Sequence, residues 1–234
     1  MKVALMQPYI FPYIGYFQLI NSVDKFIIYD DVNYIKQGWI NRNQILLNKQ
    51  KAFFTVPLLD ASSFKPIREV EINKMHYTKW RKKFFVSLEH AYKKAPHYSN
   101  VIELLNKTLT EEEQFISLLA VKSIRNTCLY LNINTEIVNT SSDYGNSHLH
   151  GPERVIDICL KEKATHYINP IGGKDLYSKE NFAENNILLS FIKTSHIKYL
   201  QSDNEFVPWL SIIDVMMFNS IEVAKCLLTK YSLV

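Results

Sequence analysis

The first thirty residues restrict the fold more than any later stretch. Lys2 to Met6 is a short apolar run, Ile14 to Asn21 has helical character, and Lys25 to Tyr29 is rich in β-favouring residues. Two strands joined through a helix form a βαβ unit and pair in parallel, because a tight hairpin can join only antiparallel neighbours. A parallel sheet in turn needs helices on its faces.

The remaining pattern extends that opening. Gln44 to Leu47 and Ala52 to Pro57 read as a hairpin turning at Asn48-Lys49-Gln50, and Ile67 to Ile72 as a further strand. From His76 to Leu131 the spacing becomes helical, with Phe84, Leu88, Ala91 and Tyr92 on one face, then Ile116, Leu119, Ala120, Ser123 and Ile124. Pro96 separates the first of these helices from a shorter one at Val101 to Leu105. Thr110-Glu111-Glu112-Glu113 supplies a cap and acids for the next. Alternation then resumes: strands at Glu136 to Asn139, Thr165 to Ile168 and Leu188 to Phe191, a helix from Gly151-Pro152 to about Lys163, and one helix or a pair over Leu210 to Leu228. The expectation is a single α/β domain over 1–234, with a mostly parallel Rossmann-like sheet and a helical insertion at about residues 76–131.

Charge narrows the partners. With 27 basic and 23 acidic side chains the chain carries only +4, which suits a small phosphorylated or nucleotide-linked substrate and argues against a nucleic-acid partner. No apolar run approaches the ~20 residues of a bilayer span, so neither membrane insertion nor a secreted location is expected; a cytoplasmic protein is. Cys128, Cys159 and Cys226 lie far apart in apolar stretches and read as small buried hydrophobes rather than disulfide partners or metal ligands. No metal and no particular cofactor is implied, and a homo-oligomer is compatible with the sequence.

Only six glycines occur, and Gly15, Gly38, Gly172 and Gly173 fall in three polar-aromatic loops that each follow a strand. Loops on the carboxyl rim of a parallel sheet are where such sheets bind ligands. In the first loop, Pro8 and Pro12 stiffen the backbone. Phe11, Ile14 and Phe17 read as packing for the following helix, while Gln7, Tyr9 and Tyr13 bring hydrogen-bonding tips to a pocket. In the second, Asp30 and Asp31 are candidate proton acceptors, Lys36 and Arg42 bind phosphate or carboxylate, and Trp39 stacks on a ring, with Asn41 beside them. A solvated hairpin with incidental ion pairs is the plain alternative. In the third, Asn169, Gly172 and Gly173 offer backbone amides to phosphate, without matching a P-loop or dinucleotide fingerprint.

Ser141 and Ser142 lack the glycine-flanked elbow of a serine nucleophile and are expected beside the pocket. His148 and His150 form too weak a pattern for a metal site, so His150 is a candidate for proton transfer. Arg154, near a helix start, is placed to bind an anion. Asp214 interrupts an apolar run; as a buried acid it needs a partner, for which Arg42 or Arg154 is natural, or it belongs to the site.

Four segments, Gln7 to Leu19, Val23 to Asn43, Tyr167 to Tyr177 and Pro208 to Asn219, with Thr140-Ser141-Ser142 and Pro152-Glu153-Arg154 between them, resemble the WbqC-like protein family along nearly the whole chain. That resemblance implies an association with bacterial surface-polysaccharide (O-antigen) biosynthesis and a transferase that acylates or aminoacylates a nucleotide-linked amino sugar. A second resemblance, carried by the strand, the proline-aromatic loop and Gly15-Tyr16, is to nucleotidyl-transferring and adenylate-forming enzymes of the HUP-like class, which have histidine where Tyr16 stands. A non-catalytic nucleotide-sugar-binding protein is the third reading.

Overall fold

Residues 1–109, 113–201 and 205–234 are described by the computed structural model of the chain. The opening folds as its pattern predicts: β1 (Lys2–Met6), α1 (Ile14–Asn21) and β2 (Lys25–Ile28), with Ala4 beside Phe26 and Met6 beside Ile28 in a parallel ladder. The hairpin follows as β3 (Arg42–Leu47) and β4 (Gln50–Thr55). It turns at Asn48 and Lys49, whose φ values of 50° and 63° give the left-handed pair that matches strand twist.

Between β5 (Leu58–Leu59) and β6 (Glu71–Ile72) the strand expected over Ile67 to Ile72 is largely replaced by a 3₁₀ turn, Ile67–Glu69. The cause is tertiary. Ile67 N and Arg68 N donate to Val32 O and Asp30 O, and Ile72 N donates to Gln114 O, so successive amides serve different partners and cannot form one ladder. The helical block is α2 (Lys74–Tyr92), α3 (Tyr98–Leu109) and α4 (Ile116–Tyr130). The start signal read at Thr110-Glu111-Glu112 lies outside the described residues, and α4 begins beyond Glu113.

The chain then returns to the sheet with β7 (Glu136–Val138), α5 (Gly151–Lys161), β8 (His166–Pro170), α6 (Lys179–Ala183), β9 (Leu188–Thr194), α7 (Ile212–Phe218), α8 (Ile221–Leu228) and β10 (Tyr231–Leu233). The strands lie in the order β7-β2-β1-β8-β9-β10, all parallel except β10, which runs antiparallel to β9. Progress through the sheet reverses direction between β1 and β8, which opens a crevice at the carboxyl rim there.

Both faces of the sheet are buried, as parallel strands require. On one face Ala4, Phe26, Ile28, Ile168 and Ile192 join a core that continues through Phe17 of α1, Phe84 and Leu88 of α2, Ile124 of α4 and Met216 of α7. The helical block therefore shares its interior with the sheet. On the other, Val3, Leu5, Ile27, Tyr167 and Phe191 pack against Val155, Ile158 and Cys159 of α5 and Phe182 of α6. Burial pushes the Cys128 and Cys159 thiols up to about 12, whereas Cys226 is exposed and so departs from the expected buried role. Among the described residues no helix is long and apolar enough to cross a membrane.

Candidate functional site

The parallel strands end on one rim, and there the predicted polar residues split into two groups. The first is built from the ends of β2 and β7 and the start of α5. Arg154 Nη2 meets Asp31 Oδ2 at 2.5 Å with both side chains almost wholly buried, and Ser141 Oγ donates to Asp31 Oδ1. The same guanidinium reaches Asn146 Oδ1 through Nε at 3.0 Å and lies 5.0 Å over the Tyr29 ring. Arg154 is thus committed to an internal carboxylate and an internal amide, which its fork of several donors can serve together.

Asp30 sits alongside. Its Oδ1 accepts from Thr140 Oγ1 at 2.7 Å and from Ser141 N at 3.3 Å, and Ser142 Oγ accepts from Arg68. Burial raises the Asp30 carboxyl above its ordinary range, with the hydrogen bonds from Thr140 and Ser141 opposing. Asp30 also lines a hollow of about 330 Å³ with Glu113, Lys122, Arg125 and Asn139 and with the apolar Leu118 and Val121. A carboxyl with a raised proton affinity at such a hollow is able to accept and return a proton. His150 caps α5 and is exposed, without a side-chain cap bond.

The second group forms an aromatic groove. Tyr9, Pro12 and Tyr13 from the first loop, Trp39 from the second, Asn43, Gln44, Lys51 and Phe53 from the hairpin, and Trp209 surround a hollow of about 560 Å³. Tyr13 and Trp209, 6.0 Å apart between ring centres, also line a neighbouring hollow of about 360 Å³ with Thr194, His196, Tyr199 and Phe206. Trp39, Phe53 and Trp209 remain 41%, 54% and 61% exposed, and Trp39 stacks on Phe53 at 6.2 Å. Exposed rings gathered in one depression are an unusual use of apolar surface and mark binding. Burial pushes the Tyr9 hydroxyl up to about 12, with Tyr13 adding to it, so both present neutral phenols.

The groove is held rigid from below. Phe11, fully buried, has φ of 40°, and its amide donates to Ser123 Oγ at 3.1 Å. Its carbonyl accepts from Asn43 Nδ2 at 2.9 Å and from Ser211 Oγ at 2.7 Å. Trp209 has φ of 66°, and it is followed by Ser211 N bonded to Gln44 O and Ile212 N bonded to Pro12 O. Left-handed backbone at bulky residues persists only where the surroundings fix it. Here side chains from β3, α4 and the start of α7 do so.

The profile of the WbqC-like protein family matches residues 7–226. The chain belongs to that family. An uncharacterized protein of Mycobacterium tuberculosis strain H37Rv, Rv1507c, is 34% identical to it over 221 residues, covering 93% of each chain. No solved structure matches.

The WbqC-like motifs map onto both groups and onto the scaffold between them. Gln7 accepts from Tyr9 Oη at 3.5 Å, while Tyr16 is buried and bonds Gln7 O at 2.8 Å. Asn41 accepts from Tyr34 Oη and donates to Val56 O, tying the second loop to the chain after β4. Arg42 braces that loop through Gly38 O and Gln37 O and lies 4.7 Å over Phe53, while Lys36 is exposed. Asn169 accepts from Tyr167 Oη at 3.1 Å, and a Cβ at Gly173 would stand 2.2 Å from Asn169 Nδ2, so a larger residue there requires that amide to shift; Gly172 is exposed.

Asp214 departs from the ion pair expected with Arg42 or Arg154. Its fully buried carboxylate accepts from Tyr92 Oη at 2.9 Å, Tyr199 Oη at 2.6 Å and Gln201 Nε2 at 2.6 Å. Neutral donors satisfy it because both arginines are occupied elsewhere. Burial still raises its carboxyl. Residue patterns had not marked Phe53, Lys51, Phe206 or Arg68 for the site. Phe53 and Phe54 alternate out and in along β4, a period-two signal for one exposed ring; Arg68 carries no such signal.

Proposed function

We propose that this protein is a transferase of bacterial surface-polysaccharide biosynthesis that moves an acyl or aminoacyl group to the amine or hydroxyl of a nucleotide-linked amino sugar. The observation that carries this reading is the aromatic groove, in which Tyr9, Tyr13, Trp39, Phe53 and Trp209 converge from segments far apart in sequence. The C–H face of a pyranose packs against such rings, and Gln44 and Lys51 supply the polar groups that orient a sugar. What the WbqC-like resemblance implies points the same way.

In this reading Asp30 is the candidate proton acceptor, because burial raises its carboxyl, and it lines a hollow that shares no residue with the groove. General-base catalysis of that kind contributes about 10²–10⁴-fold. Asp31, held by Arg154 and Ser141, positions the rim around it, and His150, Ser142, Asn169, Gly172 and Gly173 are assigned to substrate contacts on the neighbouring loops. Arg42 stands over the Phe53 ring at the edge of the groove, and Lys36, exposed on the second loop, is assigned with it to phosphate or carboxylate.

Nucleotidyl transfer is the second reading. The sheet order, counted along the chain as 3-2-1-4-5-6, favours it, since Rossmann-like sheets of that order bind nucleotides at the reversal point. Against it, Tyr16 takes the place of the histidine of those enzymes and is buried under the loop with its hydroxyl on Gln7 O.

A thermal-shift panel of nucleotide sugars, ATP and acyl-coenzyme A, followed by a product assay with the stabilising pair, tests the choice. Stabilisation by a nucleotide sugar with acylated product supports the first reading. Stabilisation by ATP with pyrophosphate release supports the second, and stabilisation without turnover leaves a binding protein.

A further inference from the structure

The two aromatic hollows are one groove, divided by Tyr13 and Trp209, which line both. Its charge is one-sided. Lys51 borders the larger part and Lys193 and His196 the smaller, while among the described residues no aspartate or glutamate lines either. The neighbouring rim cavity, by contrast, contains Asp30 and Glu113. A groove whose described lining carries basic groups in both parts and no acid concentrates an anionic ligand.

Each part also has its own ring platform. The larger presents Trp39 stacked on Phe53. The smaller presents Tyr199 and Phe206, edge to face at 5.1 Å, and the Tyr199 ring is fixed because its hydroxyl is bonded to Asp214. Thr194 and Ser195 add hydroxyls beside that platform.

We infer that the groove holds the nucleotide as well as the sugar. The sugar lies on Trp39 and Phe53, the phosphates cross at the Tyr13–Trp209 divide between Lys51 and Lys193, and the base packs on Phe206 and Tyr199. The inference rests on the nucleotide-sugar reading above, but it moves the nucleotide away from the β1–β8 crevice, where a sheet of this order would ordinarily bind it. At the ends of β8 and β1 the Asn169 amide stands against Gly173, and the Gln7 carbonyl is taken by Tyr16.

Isothermal titration of the full chain with UDP-, GDP- and dTDP-linked sugars and with the free nucleoside diphosphates tests this. Phe206→Ala should weaken both kinds of ligand about five- to hundredfold, the range for losing a ring under a base. The exposed Lys193→Ala, which leaves the core untouched, should weaken both and reduce the salt dependence, whereas Trp39→Ala should weaken only the sugar-linked forms. Unaltered binding by Phe206→Ala and Lys193→Ala, with loss on Asn169→Ala, would overturn the inference and leave the proposed function standing. Binding of none of these ligands by the wild type would overturn the substrate reading itself.

Discussion

Asp31 and Arg154, 123 positions apart in the chain, form an ion pair of 2.5 Å that is almost entirely shielded from water. The pair ties the chain just after β2 to the first turn of α5, so it fixes the rim on which Asp30, Ser141 and Ser142 stand. Removing one partner leaves a buried, uncompensated charge. Arg154→Met should therefore cost about 3–5 kcal/mol, read from urea denaturation. The double variant Asp31→Asn with Arg154→Met should recover part of that loss. A single-variant loss within error of zero would mean that water already reaches the pair.

The raised Asp30 carboxyl predicts a pH signature. A folded-state value above the ordinary one means that the folded protein binds this proton more tightly than the unfolded chain does. Its contribution to stability is then greatest below the ordinary value of 3.8, falls as pH rises through it, and levels off above the folded-state value. Asp30→Asn keeps an oxygen for Thr140 and Ser141 but cannot titrate. The stability of the wild type relative to this variant should fall as pH rises through 3.8 and level off above the folded-state value. A difference that stays flat or climbs over that range would refute the assignment.

Phe11 is pinned by Asn43, Ser123 and Ser211, and its left-handed backbone turns Tyr9 and Tyr13 toward the groove. Asn43→Ala removes the donor to Ile10 O and Phe11 O and the acceptor for Gln44 N. It should destabilise the protein by about 1–3 kcal/mol. It should also raise amide exchange over residues 9–13 more than over β1. Equal protection of the loop in variant and wild type would show that the other two contacts suffice.

The sheet was legible because its signals are local. β1, α1 and β2 follow from apolar runs, and the Asn48-Lys49 turn from its own residues. What sequence could not convey is set by partners distant in the chain. Ile67 to Ile72 reads as a strand from its β-branched residues, yet its amides are claimed by the loop after β2 and by Gln114. α6 and β10 are short and held by docking, on Tyr167 and on β9, rather than by a pattern of their own. In the site, Trp39 could be read from the sequence as a stacking ring, and Tyr9 and Tyr13 as hydrogen-bonding tips, on strand-end loops. Arg154 was recognisable as functional-looking only because its internal partner, Asp31, cannot be identified from spacing. Asp214 was legible as a buried acid, while the choice of tyrosine and glutamine over arginine depended on which segments met.

Gly15 offers a test that separates the groove from the fold. It has no positive φ and lies in the first turn of α1, but a Cβ there would stand 2.3 Å from the Tyr13 ring, which folds back over it. The obstructing atoms are the far end of a side chain that can swing away, so Gly15→Ala should be tolerated. Helix propensity alone favours alanine by about 0.8–1.0 kcal/mol. The displaced Tyr13 would leave the divide it shares with Trp209 and lose its position beside Thr194 in the smaller hollow. Ligand affinity should accordingly drop severalfold while the unfolding midpoint holds or rises. A variant that keeps full affinity would show that the Tyr13 ring contributes nothing to the groove, and one that loses stability in proportion would show that its contact with Gly15 serves packing instead.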